Sequence, residues 1–164
     1  MKLLHMIRHA KSSWDQPNLP DVARSLNNRG IKACKTIAGP ILKSGCNFEN
    51  VFCSIATRAQ QTISGINNEL SNLNITWKTE KDLYTFSEWH LLNWLSNLEE
   101  VINQVVIVGH NPGFTLLANK LGDQPIVKVP TCGYVKIALP IERWADVEFA
   151  SGRTVVFLKP KMFR

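Results

Sequence analysis

Short apolar segments alternate with amphipathic segments of helical period along most of the chain, and that alternation constrains the fold more than any other feature. The clearest strand is Gln104-Val105-Val106-Ile107-Val108, short, β-branched and flanked by polar residues. Residues 3–8 and 50–54 read as two earlier strands, 75–79 as a third, and 133–139 and 154–158 as the last two. Between them Ile31, Cys34, Ile37, Ala38, Ile41 and Leu42 fall on one face of a first helix. Ile63, Ile66 and Leu70 mark a second, Leu91, Leu92, Leu95 and Leu98 a third, and residues 114–121 a fourth. Asn27 and Ser87 are predicted N-caps, Gly45 a stop signal, and Pro40 a kink or break in the first helix. Such alternation builds a three-layer α/β/α sandwich on a mostly parallel central sheet. The last two strands lack an intervening helix, so one is expected to run antiparallel at or near an edge.

At 164 residues the chain has the size of one domain, and no linker or repeat divides it, so residues 1–164 are expected to fold together. The balance of 19 Lys and Arg against 13 Asp and Glu gives +6, which favours anionic partners without choosing among them. The basic residues form no block (Lys32, Lys35, Lys43, Lys78, Lys81, Lys159 and Lys161 are spread out), and a solvated surface is the expectation for most. Cys34, Cys46, Cys53 and Cys132 show no paired spacing and read as reduced thiols of a cytoplasmic protein. No apolar run nears the ~20 residues of a membrane span.

The chemistry collects at strand ends. The first strand runs into Arg8-His9-Ala10-Lys11-Ser12, the second into Ser54-Ile55-Ala56-Thr57-Arg58, and the fourth into Gly109-His110-Asn111-Pro112. In a parallel sheet these ends share one edge and converge at a switch point. Two arginines and two histidines without a nearby compensating acid suit a dianion, and phosphate best. The helix after Arg58 and the turn after His110 add backbone N–H donors. Two readings are open: an enzyme with a histidine nucleophile, or a binding module that only holds a phosphorylated group. There is no Walker loop and no metal-ligand spacing, so neither cofactor nor metal is expected. Nucleic acid is not expected either, because the tryptophans fall at helix and loop positions that read as structural.

These motifs resemble the histidine phosphatase superfamily, which includes the phosphoglycerate mutases. Arg8-His9-Ala10-Lys11-Ser12-x-Trp14, Arg24-x-Leu26, Asp82-Leu83-Tyr84 and Pro130-Thr131 resemble its short SixA-type branch of phosphohistidine phosphatases. The resemblance implies a phosphoglycerate mutase-like fold and a metal-independent phosphatase with His9 as nucleophile. Arg8, Arg58 and His110 would hold the phosphoryl oxygens, with Ser12, Arg24 and Asn111 as further binding residues. It implies a phosphohistidine-bearing protein as substrate; a small-molecule phosphomonoesterase is the alternative. Ser25 and Asn27 depart from the Pro and Thr usual before the first helix. Glu80, Asp82 and Glu88 are the nearest candidates for a proton donor, and the short loops imply an open site.

Overall fold

Successive residues of the central strands enter two different cores. In β1 (Lys2–Arg8), Leu4 and Met6 join one apolar cluster and Ile7 the other. Such alternation requires cover on both faces of the sheet. The computed structural model describes residues 1–164 and supplies it. α1 (Asn28–Lys43) follows β1; β2 (Val51–Ser54) leads into α2 (Thr57–Glu69). β3 (Trp77–Glu80) precedes α3 (Glu88–Ser96), β4 (Gln104–Gly109) precedes α4 (Gly113–Leu121), and β5 (Tyr134–Leu139) and β6 (Arg153–Leu158) end the sheet. Cys34, Ile37 and Ile41 of α1 and Ile63 and Ile66 of α2 fill one core. Leu91 and Leu95 of α3, Phe114 and Leu117 of α4 and the buried Trp144 fill the other. The result is a three-layer α/β/α fold.

The strand order is β3-β2-β4-β1-β5-β6. The first four strands are mutually parallel, whereas β5 runs antiparallel to both β1 and β6. The antiparallel strand is thus one in from the edge. β1 and β4 are neighbours, yet the helices that follow them pack on opposite faces, which opens a crevice at their carboxyl ends. Because β5 is reversed, the segment that enters it, Pro130 to Gly133, also arrives at this edge: Arg8 N–H donates to Gly133 O and Cys132 N–H to Arg8 O.

Local expectations needed three corrections. Ile31 is 47% exposed and Leu42 only half-buried, because the inward face of α1 passes through Gly30, Cys34, Ile37, Ala38 and Ile41. Pro40 does not break α1, which continues to Lys43. It lies in the last turn, where the missing N–H costs a single hydrogen bond, and Gly45 at φ +98° turns the chain just past the Ser44 cap. β3 starts at Trp77, two residues late, because Asn74 at φ 50° turns the chain and Asn67 Oδ1 takes the Ile75 N–H. Both predicted caps form: Asn27 Oδ1 accepts from Gly30 N–H at 2.9 Å and Ser87 Oγ from Trp89 N–H at 3.2 Å.

Two glycines of α1 test this packing with opposite signs. A Cβ on Gly30 would lie 2.3 Å from Lys11 O, in the turn after β1, whereas one on Gly39 would meet nothing within 4 Å. Gly39→Ala is expected to stabilise the protein by about 0.5–1 kcal/mol, the ordinary helix gain. Gly30→Ala should destabilise it despite that gain. Urea denaturation of both variants checks the pair, and a stabilising Gly30→Ala would contradict the close approach of α1 to the first turn.

Candidate active site

β1 ends at Arg8, so His9 stands just outside the pleat, and both side chains reach the same cavity. The turn is fixed from α2: Thr62 Oγ1 accepts from Ala10 N–H at 2.9 Å and donates to Arg58 O at 2.7 Å. It is fixed a second time by the strip before α1, where Asn27 N–H donates to Lys11 O and Ser12 bridges Leu26. Ser12 Oγ accepts from Arg24 Nη1 at 2.7 Å. The cavity measures about 530 Å³ and is walled by Arg8, His9, Ser12, Arg24, Arg58 and Asn111 among others.

The hydrogen bonds assign the His9 ring. Its Nδ1 lies 2.7 Å from Ala10 O, and a carbonyl only accepts, so Nδ1 carries the proton. Nε2 therefore keeps its lone pair, 3.4 Å from Arg58 Nε. Burial lowers the His9 pKa to about 4, the Ala10 hydrogen bond opposes this, and the charges of Arg58, Arg8 and Arg24 add to the lowering. His9 is thus a neutral imidazole at pH 7 with a free nitrogen among cations. The ring of His110 lies 5.1 Å from it, centroid to centroid, with Nε2 2.8 Å from Ser54 Oγ and Nδ1 3.5 Å from Arg58 Nη2. Guanidinium cannot accept, so Nδ1 is the acceptor and Nε2 carries the proton. Burial and the neighbouring His9 and Arg58 pull the His110 pKa down to about 3. Arg8 Nη1 donates to Val129 O at 2.9 Å, while its buried Nε has no partner.

The sequence reading expected no acid here, and the structure corrects it. Asp21 lies in the loop before α1 and pairs with Arg58 Nη2 at 2.9 Å and with Arg24 Nη2 at 3.1 Å. Tyr84 Oη donates to the same carboxylate at 2.5 Å. Burial alone would raise the Asp21 pKa, but the Tyr84 and Arg58 hydrogen bonds, the Arg58 charge and the Arg24 hydrogen bond bring it to about 2. The reason is physical. Arg58 is 2% exposed, and a buried guanidinium requires a partner. The signal was an acid three residues before Arg24, a spacing that lets the two side chains meet.

Tyr84 and Phe86 also escaped the sequence reading as site residues. Both rings stand edge-on to His110, at 5.3 and 5.6 Å, and both wall the cavity. Glu80, Asp82 and Glu88 line no part of it. Asn111 does, but its amide is committed: Nδ2 donates to Val129 O, and Oδ1 accepts from Thr115 N–H and Oγ1. Trp14, expected to be structural, is 71% exposed and lies over the Arg24 guanidinium at 3.7 Å, at the cavity wall. No group of three His, Cys, Asp or Glu side chains is placed to ligate a metal, and no helix is long and apolar enough to cross a membrane.

A sequence profile of the histidine phosphatase superfamily (branch 1) matches residues 4–105. The chain belongs to that superfamily. Over 165 residues it is 26% identical to uncharacterized protein Rv1276c of Mycobacterium tuberculosis, covering 94% of this chain and all of that one. Its backbone is similar to that of a protein histidine phosphatase SixA solved with tungstate (TM-score 0.79, 20% identity, 99% of each chain). It is also similar to a mycobacterial glucosyl-3-phosphoglycerate phosphatase solved with VO3 (TM-score 0.66, 13% identity, 95% of this chain and 98% of that one). At these identities the structural likenesses establish the fold.

The buried neutral histidines set a pH limit on stability. Unfolded histidines bind protons near pH 6.5, whereas folded His5 and His9 do so only near 4 and His110 near 3. Between these values the unfolded state holds more protons, so stability falls as the pH drops below about 6.5. Asp21, at about 2 in the fold, adds loss in the same direction below pH 4. Thermal melts should show a falling Tm from pH 7 to 4.5. Orthophosphate at pH 7 should raise the Tm, and Arg58→Ala should remove that rise. A flat Tm over this range would contradict the burial of neutral imidazoles.

Proposed function

We propose that the protein is a metal-independent phosphatase that transfers a phosphoryl group to His9 and then to water. Its substrate in this reading is phosphohistidine on a partner protein. The observation that carries it is the tautomer of His9: a neutral ring with a lone pair on Nε2, beside Arg58 and within a cationic cavity. A module that only bound phosphate would have no use for a buried, proton-free nitrogen at its centre.

In this reading the Nε2 lone pair forms the new N–P bond while the N–P bond of the substrate breaks. The electron pair leaves with the substrate imidazole, which takes its proton from solvent. Water then attacks phosphorus, the bond to Nε2 breaks, its electron pair returns to the ring, and the proton of the water goes to solvent. Arg8 and Arg58 balance the phosphoryl charge through both steps, which makes the reaction one of alignment and electrostatics. As the dianion arrives, His110 Nδ1 gains a proton and donates to it, since an anion nearby raises a histidine pKa. Asp21 offsets the Arg58 charge, and an incoming phosphate takes over the Arg58 Nη2 donor.

Substrate choice rests on the proton donor. An alkoxide leaves poorly, and a positioned acid typically adds 10²–10⁴-fold, whereas imidazole collects its proton from water. The one carboxylate in the cavity is held at about 2, so it is ionised at neutral pH and has no proton to give. That favours N–P over O–P bonds. A small-molecule ester is the second reading, supported by the backbone likeness to the mycobacterial glucosyl-3-phosphoglycerate phosphatase.

Rapid quench with labelled phosphohistidine protein should trap an acid-labile, base-stable phosphoenzyme, and His9→Ala should abolish it. Arg58→Ala and His110→Ala are expected to lower the rate by 10²-fold or more. Asp82→Asn and Glu88→Gln should leave phosphohistidine hydrolysis near wild type, and dialysis against a chelator should not change it. Faster cleavage of a simple alkyl phosphate than of phosphohistidine would return the small-molecule reading to first place.

A further inference from the structure

The sequence scatters its basic residues, but the fold gathers eight of them. A groove of about 520 Å³ opens beside the His9 cavity and shares Arg8, Lys11 and Thr131 with it. It runs between α1 and the chain after β6, with Arg29 and Lys32 on one bank, Lys159 and Lys161 on the other, and Lys128 near the mouth. Eight of its thirteen lining residues are Arg or Lys, and none is Asp or Glu. Those eight leave eleven of the chain's nineteen basic residues against thirteen acids elsewhere, so the whole net positive charge resides in this groove. None of the eight joins a salt bridge. Of the seven lysines expected to be a dispersed, solvated surface, Lys32, Lys159 and Lys161 line this groove, whereas Lys35, Lys43, Lys78 and Lys81 lie outside it.

Like charges converge here at a cost in mutual repulsion that no internal acid offsets. We propose that the groove docks an acidic stretch of the protein that carries the substrate phosphohistidine, seating carboxylates beside the phosphoryl group held at His9. The proposal rests on the phosphohistidine reading above. Three features favour an acidic protein over other polyanions. No aromatic side chain lines the groove, and single-stranded nucleic acid binds through stacking platforms. Five of its eight basic residues are lysines, and Lys11, Lys32, Lys128 and Lys161 are exposed, point charges on flexible stems that suit carboxylates of varied position rather than one compact phosphate. It is also open and continuous with the site, so one surface can span both.

The probes are two synthetic peptides with a central chemically phosphorylated histidine, one with four flanking Glu residues and the other with Gln in their place. The triple variant Lys32→Glu/Lys128→Glu/Lys161→Glu leaves the His9 cavity intact. On the Glu peptide its kcat/KM should fall at least on the order of tenfold, through KM, with kcat kept. On the Gln peptide and on free phosphohistidine it should match wild type within about twofold, which also verifies that it folds. The wild-type preference for the Glu peptide should shrink as salt rises. Equal loss on both peptides, or none on the Glu peptide, would overturn the groove. Anisotropy with the unphosphorylated Glu peptide reads docking without turnover. If neither phosphopeptide is hydrolysed but the Glu peptide binds wild type and not the triple variant, the phosphohistidine reading fails and the acidic groove stands. Tighter binding of an RNA oligonucleotide or of polyphosphate than of the Glu peptide would overturn the choice of an acidic protein.

Discussion

The burial of Arg58 governs the carboxyl edge of this sheet. A guanidinium cannot discharge itself, so placing it at 2% exposure obliges the chain to surround it with acceptors. The loop before α1 supplies two of them, Asp21 O and Asp21 Oδ2, and the site ring nitrogens take what remains. That demand explains why the 15–24 loop folds back over the edge instead of extending into solvent. It also explains why Arg24 and Tyr84 converge on the same carboxylate. The same charge depresses the basicity of both facing histidines, after burial has done most of it.

The fold was legible because its signals are local and redundant. Each strand of the β3-β2-β4-β1 set announces itself by composition, and each helix by period. The reversed strand followed from a missing crossover. What the sequence hid depended on distance along the chain. Asp21 and Arg58 are 37 residues apart, and the groove gathers Lys11, Lys32, Lys128 and Lys161 from four segments. No window of residues contains either arrangement. Ile31 misled for a different reason: an apolar residue can satisfy a helical period and still face water when a glycine must face the neighbouring backbone.

The residues named from the strand ends and from the family resemblance do meet: Arg8, His9, Ser12, Arg24, Arg58 and Asn111 wall one cavity, with His110 directly behind His9. Geometry divides their work more finely than the sequence could. Asn111 spends its amide fastening the β4–α4 turn to Val129, the same carbonyl that takes Arg8 Nη1, so it positions Arg8 through a shared acceptor. Ser12 receives Arg24 rather than standing free.

The reversal of β5 ties the two cationic surfaces together. Had that strand been parallel, the chain entering it would have reached the opposite edge, and residues 128–132 could not flank Arg8. Because it is antiparallel, this segment forms the partition between cavity and groove, with Arg8 and Thr131 lining both. Inside the partition Arg24 and Arg58 are buried, and they and Arg8 are held in fixed directions by carbonyls and a carboxylate, an arrangement suited to directional hydrogen bonding. Outside it most are lysines, with Lys32, Lys128 and Lys161 exposed, joined by the exposed Arg29 and Arg164. A single choice of strand direction thus sets a cavity of pinned arginines beside an open basic groove.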